Sequence, residues 1–234
     1  MKECLLALGS ALITTLAVAT SHPNNSIVPA KQYEDTAYTR VIIQRASKIV
    51  TTLGIADSTA FLRVCGIIAD QYRALNTIYT DRDSAIKLLK NQPAIDKQAL
   101  DSGRKNIEAA ATKKLDLLHG QYLARLATAL TPQQVDQVKD GMTYNVLTIT
   151  YRAYQEELPT LTDPQKARIL ADLTEAREHA MDAESSEKKH AWFGKYKGRI
   201  NNYLSSEGYD MKKAGVEWQR RISEKNNPSP PVRQ

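Results

Sequence analysis

Cysteine is nearly absent from this chain: two among 234 residues, Cys4 and Cys65. Cys4 falls in an N-terminal stretch that reads as a removable export signal, so the mature chain keeps one thiol. A single thiol excludes a disulfide framework, and it excludes any cysteine-rich zinc or iron–sulfur site. Phenylalanine is also scarce, with two residues against eleven tyrosines. Tyrosine joins an apolar ring to a polar tip, which suits partly wet surfaces and favours a binding cleft over a purely apolar core. The motifs of common enzyme classes are missing. There is no G-x-S-x-G, no Walker loop and no G-x-G-x-x-G. The overall balance, 42% apolar and 25% charged, is that of an ordinary soluble chain. It excludes a polytopic membrane protein, a collagen-like chain and wholesale disorder. The length fits one domain, able to bury roughly 70% of its unfolded surface without staples.

Residues 1–19 (MKECLLALGSALITTLAVA) carry the export reading. Lys2 and the free amine give a positive start, which Glu3 weakens. An apolar run from Cys4 to Val18 follows, and Ala17-Val18-Ala19 supplies the small-x-small cleavage pattern. The run is too short and too diluted by Gly9, Ser10, Thr14 and Thr15 to cross a bilayer about 30 Å thick. The expected location is therefore periplasmic or secreted, with no stable membrane anchor after cleavage near Ala19.

Proline placement marks out the rest. Prolines stand at 23, 29, 93, 132, 159, 164, 228, 230 and 231, with long proline-free stretches between them. A proline inside a helix costs about 3 kcal/mol, so these residues belong at element ends. Residues 20–30 read as a loose lead-in, 31–225 as the helical domain, and 226–234 as a disordered proline-rich tail. Within the domain the apolar spacing is helical. Tyr38, Val41, Ile42, Ile49, Val50 and Leu53 form one stripe, stopped by Gly54. Asp57 or Ser58 can cap the next helix, which carries Phe61, Val64, Cys65, Ile68, Tyr72, Leu75, Ile78 and Tyr79. A third carries Leu115, Leu118, Tyr122, Leu126 and Leu130. Residues 146–151 (VLTITY) have strand propensity, yet Leu147, Tyr151, Tyr154 and Leu158 fit a helix, and a lone strand would have no partner. The expected fold is an all-α, single-domain bundle of about six helices, several long and antiparallel.

Two segments share the pattern L-T-x-x-Q: Leu130-Thr131-Pro132-Gln133-Gln134 and Leu161-Thr162-Asp163-Pro164-Gln165. Threonine three residues before glutamine is a capping box, so each pair predicts a helix start. The paired motif also resembles the periplasmic stress chaperones of the Spy and CpxP kind, and that resemblance implies an all-helical cradle binding client proteins.

Charge and aromatics concentrate in residues 179–203. Lys188, Lys189, Lys195, Lys197 and Arg199 stand there with no acid between 188 and 199, in a chain whose net charge is +6. Upstream, residues 154–187 hold nine acids against three bases. One consequence is an acidic helix packed against a basic one, with charges cancelling across a hairpin. The other is a binding face. On a helix over 187–204, Trp192, Tyr196, Arg199 and Tyr203 share one side, while Phe193, Ile200 and Leu204 mark the core side. Gly194 and Gly198 would allow close approach by a helix or ligand. Rings beside planar amides and cations can stack on a sugar and bind its hydroxyls or carboxylate.

The runs VKDGMTY (138–144), TYRAY (150–154), EAREHAMDAESSEKKHAWFGKYKGRINNYL (175–204) and GYD (208–210), with QYRALNTIY (71–79), resemble a family of exported bacterial proteins of unknown function. Its members occur in polysaccharide-degrading bacteria and sugar binding is ascribed to them. The resemblance covers about 31–225. It implies an exported helical protein with a carbohydrate role and supplies no catalytic residues.

Enzymatic signals are thin. His179 and Asp182 are three apart and able to meet as an imidazole–carboxylate pair, with Glu175 on the same side. The spacing matches neither H-E-x-x-H nor H-x-x-E-H, and Ala176 breaks the E-x-x-H of di-iron bundles. No cofactor and no metal is expected. The expected function is a non-catalytic carbohydrate-binding or glycan-utilisation accessory role, with a chaperone-like protein or a glycan-active lyase or hydrolase as alternatives. The expected partner is an acidic or neutral glycan and not a nucleic acid. The candidate surface comprises His179, Asp182, His190, Trp192, Lys195, Tyr196, Arg199, Asn201 and Asn202, with Asp140, Tyr144 and Tyr151 opposite.

Overall fold

The computed structural model describes residues 37–226 apart from Ala94. The export segment, the lead-in and residues 31–36 and 227–234 lie outside the described residues, while Asn226, expected to open the tail, ends the last helix. Every described element is helical. The helices are α1 (Ala37–Thr51), α2 (Ser58–Lys90), α3 (Lys97–Ala127), α4 (Pro132–Met142), α5 (Val146–Glu157), α6 (Asp163–Met181), α7 (Ser186–Ser206) and α8 (Met211–Asn226). None is long and apolar enough to cross a membrane.

Local chemistry explains most of the boundaries. The Asp57 carboxylate accepts from the Thr59 and Ala60 N–H groups and starts α2. Asp96 accepts from Ala99 N and starts α3. At α4 the box is reciprocal: Thr131 Oγ1 accepts from Gln134 N while Gln134 Oε1 accepts from Thr131 N. At α6 the Gln165 side chain accepts from Thr162 N. Both L-T-x-x-Q segments are thus helix starts, with Pro132 and Pro164 in first turns where a missing N–H is harmless. Residues 146–151 are helical, as the apolar spacing predicted.

There are eight described helices rather than about six. The added break at α4–α5 carries neither proline nor glycine, the residues that usually reveal a helix end. Asn145 N donates to Asp140 O at 2.8 Å, the six-to-one bond of a Schellman cap. The left-handed position of that cap normally holds glycine; here Tyr144 occupies it at φ 60°, followed by Asn145 at φ 57°. The α7–α8 break is the conventional version. Tyr209 N donates to Leu204 O at 3.1 Å and Gly208 takes the left-handed position at φ 93°.

Burial divides into two clusters. The first joins α1, α2, the end of α3 and α4 through Ala46, Val50, Val64, Ile68, Tyr122, Leu126, Val138 and Met142. The second joins α5, α6 and α7 through Leu147, Tyr154, Ile169, Leu173, Ala176, Phe193, Tyr196, Ile200 and Leu204. Met181, the last residue of α6, reaches into the first cluster. Gly141 lets α4 approach α1: a Cβ there would sit 2.9 Å from Ile49 Cγ1. Cys65 is buried, and burial pushes its thiol up, away from thiolate chemistry.

Candidate binding cleft

The α7 stripe folds largely onto α6. Phe193, Ile200 and Leu204 are fully buried, as the helical spacing required. Tyr196 is also buried, at 4% exposure, instead of presenting its ring for stacking. Trp192 is half-buried and stacks on His179, ring centroids 4.4 Å apart. Lys195 lies 5.0 Å above the indole. Arg199 is committed as well. Its Nε is 3.2 Å from the Asp172 carboxylate and its Nη1 donates to Glu175 Oε2 at 3.1 Å. So Tyr196 is an internal ring and Arg199 an exposed but paired cation, because α6 offers an apolar groove and two acids directly opposite them. The expected cancellation across the hairpin holds for Arg199. Among the described residues Lys188, Lys195 and Lys197 have no ion-pair partner. Gly194 and Gly198 open onto empty space, and no element approaches them closely. Asn201 accepts from the Tyr154 hydroxyl at 2.7 Å beside a cavity lined by Lys197 and Glu157. Asn202 is exposed, and Tyr151 packs against the second cluster.

The His179–Asp182 pair does not form. Asp182 turns away from His179 and accepts from His119 Nδ1 at 2.6 Å and from Gln71 Nε2 at 3.2 Å. His119 Nε2 also lies 3.4 Å from Glu178. The bond to Asp182, reinforced by Glu178, raises His119 to about 9 and holds it as an imidazolium. Burial works to raise Glu178, yet hydrogen bonds from His119 and Lys139 outweigh it and hold the carboxyl at about 2. Arg177, 6% exposed, donates to Asp140 at 2.8 Å and Asp136 at 2.7 Å. Asp140 is thus an internal ion-pair partner. This network fastens α3, α4 and α6 together. No group of three or more His, Cys, Asp or Glu among the described residues is placed to hold a metal.

Beside that network a cavity of about 340 Å³ opens. Its walls come from four places. Tyr38, Ile42 and Arg45 project from α1; Tyr72, Leu75, Asn76 and Tyr79 from α2. Tyr144 stands in the α4–α5 turn, and Glu184, Ser185, Ser186 and Lys189 surround the start of α7. Tyr144 is 46% exposed, and its ring stacks on the His190 imidazole at 5.5 Å. The C-terminal carbonyls of α6 are closed off by side chains from this wall. Lys189 Nζ donates to Ala180 O at 3.1 Å and Met181 O at 2.9 Å, and the Tyr79 hydroxyl donates to Asp182 O at 2.7 Å. A cation suits that helix end. Burial nonetheless pulls the Lys189 ammonium down to about 8, with Asp182 opposing the shift. Burial pushes the phenols of Tyr72 and Tyr79 up to about 12, so both stay protonated donors. The Tyr72 hydroxyl has no hydrogen-bond partner among the described residues.

Of the candidates read from sequence, Tyr144 lines this cavity and His190 supports it from behind. Tyr38, Arg45, Tyr72, Tyr79 and Lys189 were missed as site residues. One signal was available for two of them: Tyr72 and Tyr79 stand seven apart, on one helix face, within the run that carries the family resemblance.

The described residues form an all-helical protein with a tyrosine-walled cleft. The chain belongs to the DUF3826 family of proteins of unknown function, whose model matches residues 39–224. No curated protein matches it.

Proposed function

We propose that the protein is an exported, non-catalytic carbohydrate-binding accessory of glycan utilisation, and that the sugar sits in the tyrosine cleft. One observation carries the reading: an aromatic ring is held at the cleft mouth by a backbone conformation that favours glycine. Left-handed geometry costs a non-glycine residue of order 1–2 kcal/mol, and such strain clusters at ligand sites. The equivalent cap before α8 uses Gly208, so the fold has the unstrained solution at hand. Supporting features agree. The cavity volume of about 340 Å³ lies in the range of small-ligand pockets, about 300–1,000 Å³. Phenol faces offer apolar contact to sugar C–H groups, while the Tyr72 hydroxyl, Asn76 and the Ser185–Ser186 pair offer directed hydrogen bonds. Trp192 and Lys195 lie outside this cavity, around a shallow surface depression with Lys188 and Ala191.

Calorimetric titration of the mature chain with neutral and acidic oligosaccharides tests the proposal. Binding heat is expected, weakened about ten-fold by Tyr144→Gly, on the scale of one lost aromatic contact, and unchanged by Trp192→Ala. No heat with any glycan, or loss through Trp192→Ala alone, would overturn it.

A further inference from the structure

The charges facing the cleft do not balance. Arg45 lines it and has no ion-pair partner among the described residues. Lys189 lines it, is 7% exposed, and spends its donors on two carbonyls, with no carboxylate within ion-pair distance. The one acid in the wall, Glu184, is already bridged to Arg82. Ser185 and Ser186 begin α7, a 21-residue helix whose first turn adds positive partial charge on the same side. The phenols around these cations remain neutral, since burial holds Tyr72 and Tyr79 protonated. A neutral sugar would leave two cations facing it without an anion. Lys189 is buried without a carboxylate partner and Arg45 stands exposed beside it, so the cavity presents net positive charge that suits an anionic guest.

We infer that the cleft selects sugars bearing a carboxylate, a uronate residue of an acidic glycan, with Arg45 and Lys189 meeting the carboxylate and the tyrosines holding the ring. This rests on the sugar-binding reading above and narrows it. Arg45 stands on the exposed side of α1, where its planar fork can take both oxygens of a carboxylate. Lys189 supplies a point charge deeper in the cavity. Between them the arrangement distinguishes a uronate from the matching neutral hexose at one position of the ring.

The test compares an oligogalacturonide, the matching neutral oligogalactoside and a sulfated oligogalactoside, each titrated calorimetrically into the mature chain. The oligogalacturonide is expected to bind about ten-fold or more tightly than the neutral ligand, the scale of one charge-assisted hydrogen-bonded pair. Arg45→Gln, an exposed change that leaves the core intact, should bring the acidic ligand's affinity down to that of the neutral one. Equal affinities for acidic and neutral ligands would overturn the inference and leave the sugar-binding reading standing. An acidic preference that survives Arg45→Gln would overturn it too, as would tighter binding of the sulfated ligand than of the uronate. Absence of binding by all three would overturn both.

Discussion

Replacing Tyr144 by glycine separates a ring kept for a ligand from a ring kept for the fold. Three contributions set its effect on stability. Glycine relieves a left-handed backbone that costs an L-residue about 1–2 kcal/mol. It brings back about 0.5–1 kcal/mol of unfolded-chain entropy. It deletes the stack on His190, worth about 0.5–1.5 kcal/mol. The ring is 46% exposed, so little further burial is lost. These contributions nearly cancel, and the variant should stay within about 1 kcal/mol of the parent, a shift of no more than about 4 °C in Tm for a domain of this size. Removal of a buried ring would instead cost about 3–5 kcal/mol. Thermal and urea unfolding of both proteins reads the difference, alongside glycan titration. A fall in Tm above about 8 °C, or undiminished glycan binding, would refute the reasoning. Gly208→Ala is the mirror experiment. It forces a side chain into φ 93° and should destabilise by about 1 kcal/mol or more.

Stability should also depend on pH through His119. Its folded pKa of about 9 exceeds its ordinary value of 6.5, so its contribution is complete below 6.5 and is lost as pH rises toward 9. Lys189, lowered from 10.5 to about 8, acts oppositely above 8, so the decline is clearest between 6.5 and 8, and His119→Gln should flatten it in urea titrations. Glu178, lowered from 4.5 to about 2, stabilises above 4.5 and loses that contribution as pH falls toward 2; Glu178→Gln should remove the acid-side slope. Arg177→Ala strands Asp140 and leaves Asp136 unpaired and should cost about 3 kcal/mol by denaturant unfolding, with little change for Arg177→Lys counting against the network as a brace. Tyr196→Ala should cost about 3 kcal/mol without a specific effect on glycan affinity, whereas unaltered stability would show the ring to be dispensable for packing.

What was legible in the sequence followed from periodicity and from local chemistry. The core side of α7, the start of α2 at Asp57 and both threonine–glutamine boxes needed only residues within one helix turn. Two kinds of feature escaped. The α4–α5 break was invisible because Tyr144 and Asn145 do the work of a glycine, and propensity rules flag the residue type rather than the φ angle it is forced to adopt. Long-range pairing was invisible because spacing ranks only neighbours on the same helix. Asp182 had His179 three residues away and chose His119, 63 residues distant. For the same reason the aromatic stripe of α7 looked available, when acids and an apolar groove on α6 already claimed Tyr196 and Arg199. The cleft itself draws its side chains from four separate segments between 38 and 189, none conspicuous where it stands.

The most direct test of the central claim is fluorine NMR on the mature chain carrying 3-fluorotyrosine at its eleven tyrosines, each assigned by a Tyr→Phe variant and titrated with an oligogalacturonide. Tyr144, Tyr72 and Tyr38 are expected to shift together and saturably while Tyr196 and Tyr203 stay in place. Shifts confined to Tyr196 and Tyr203, or none at any tyrosine, would contradict it.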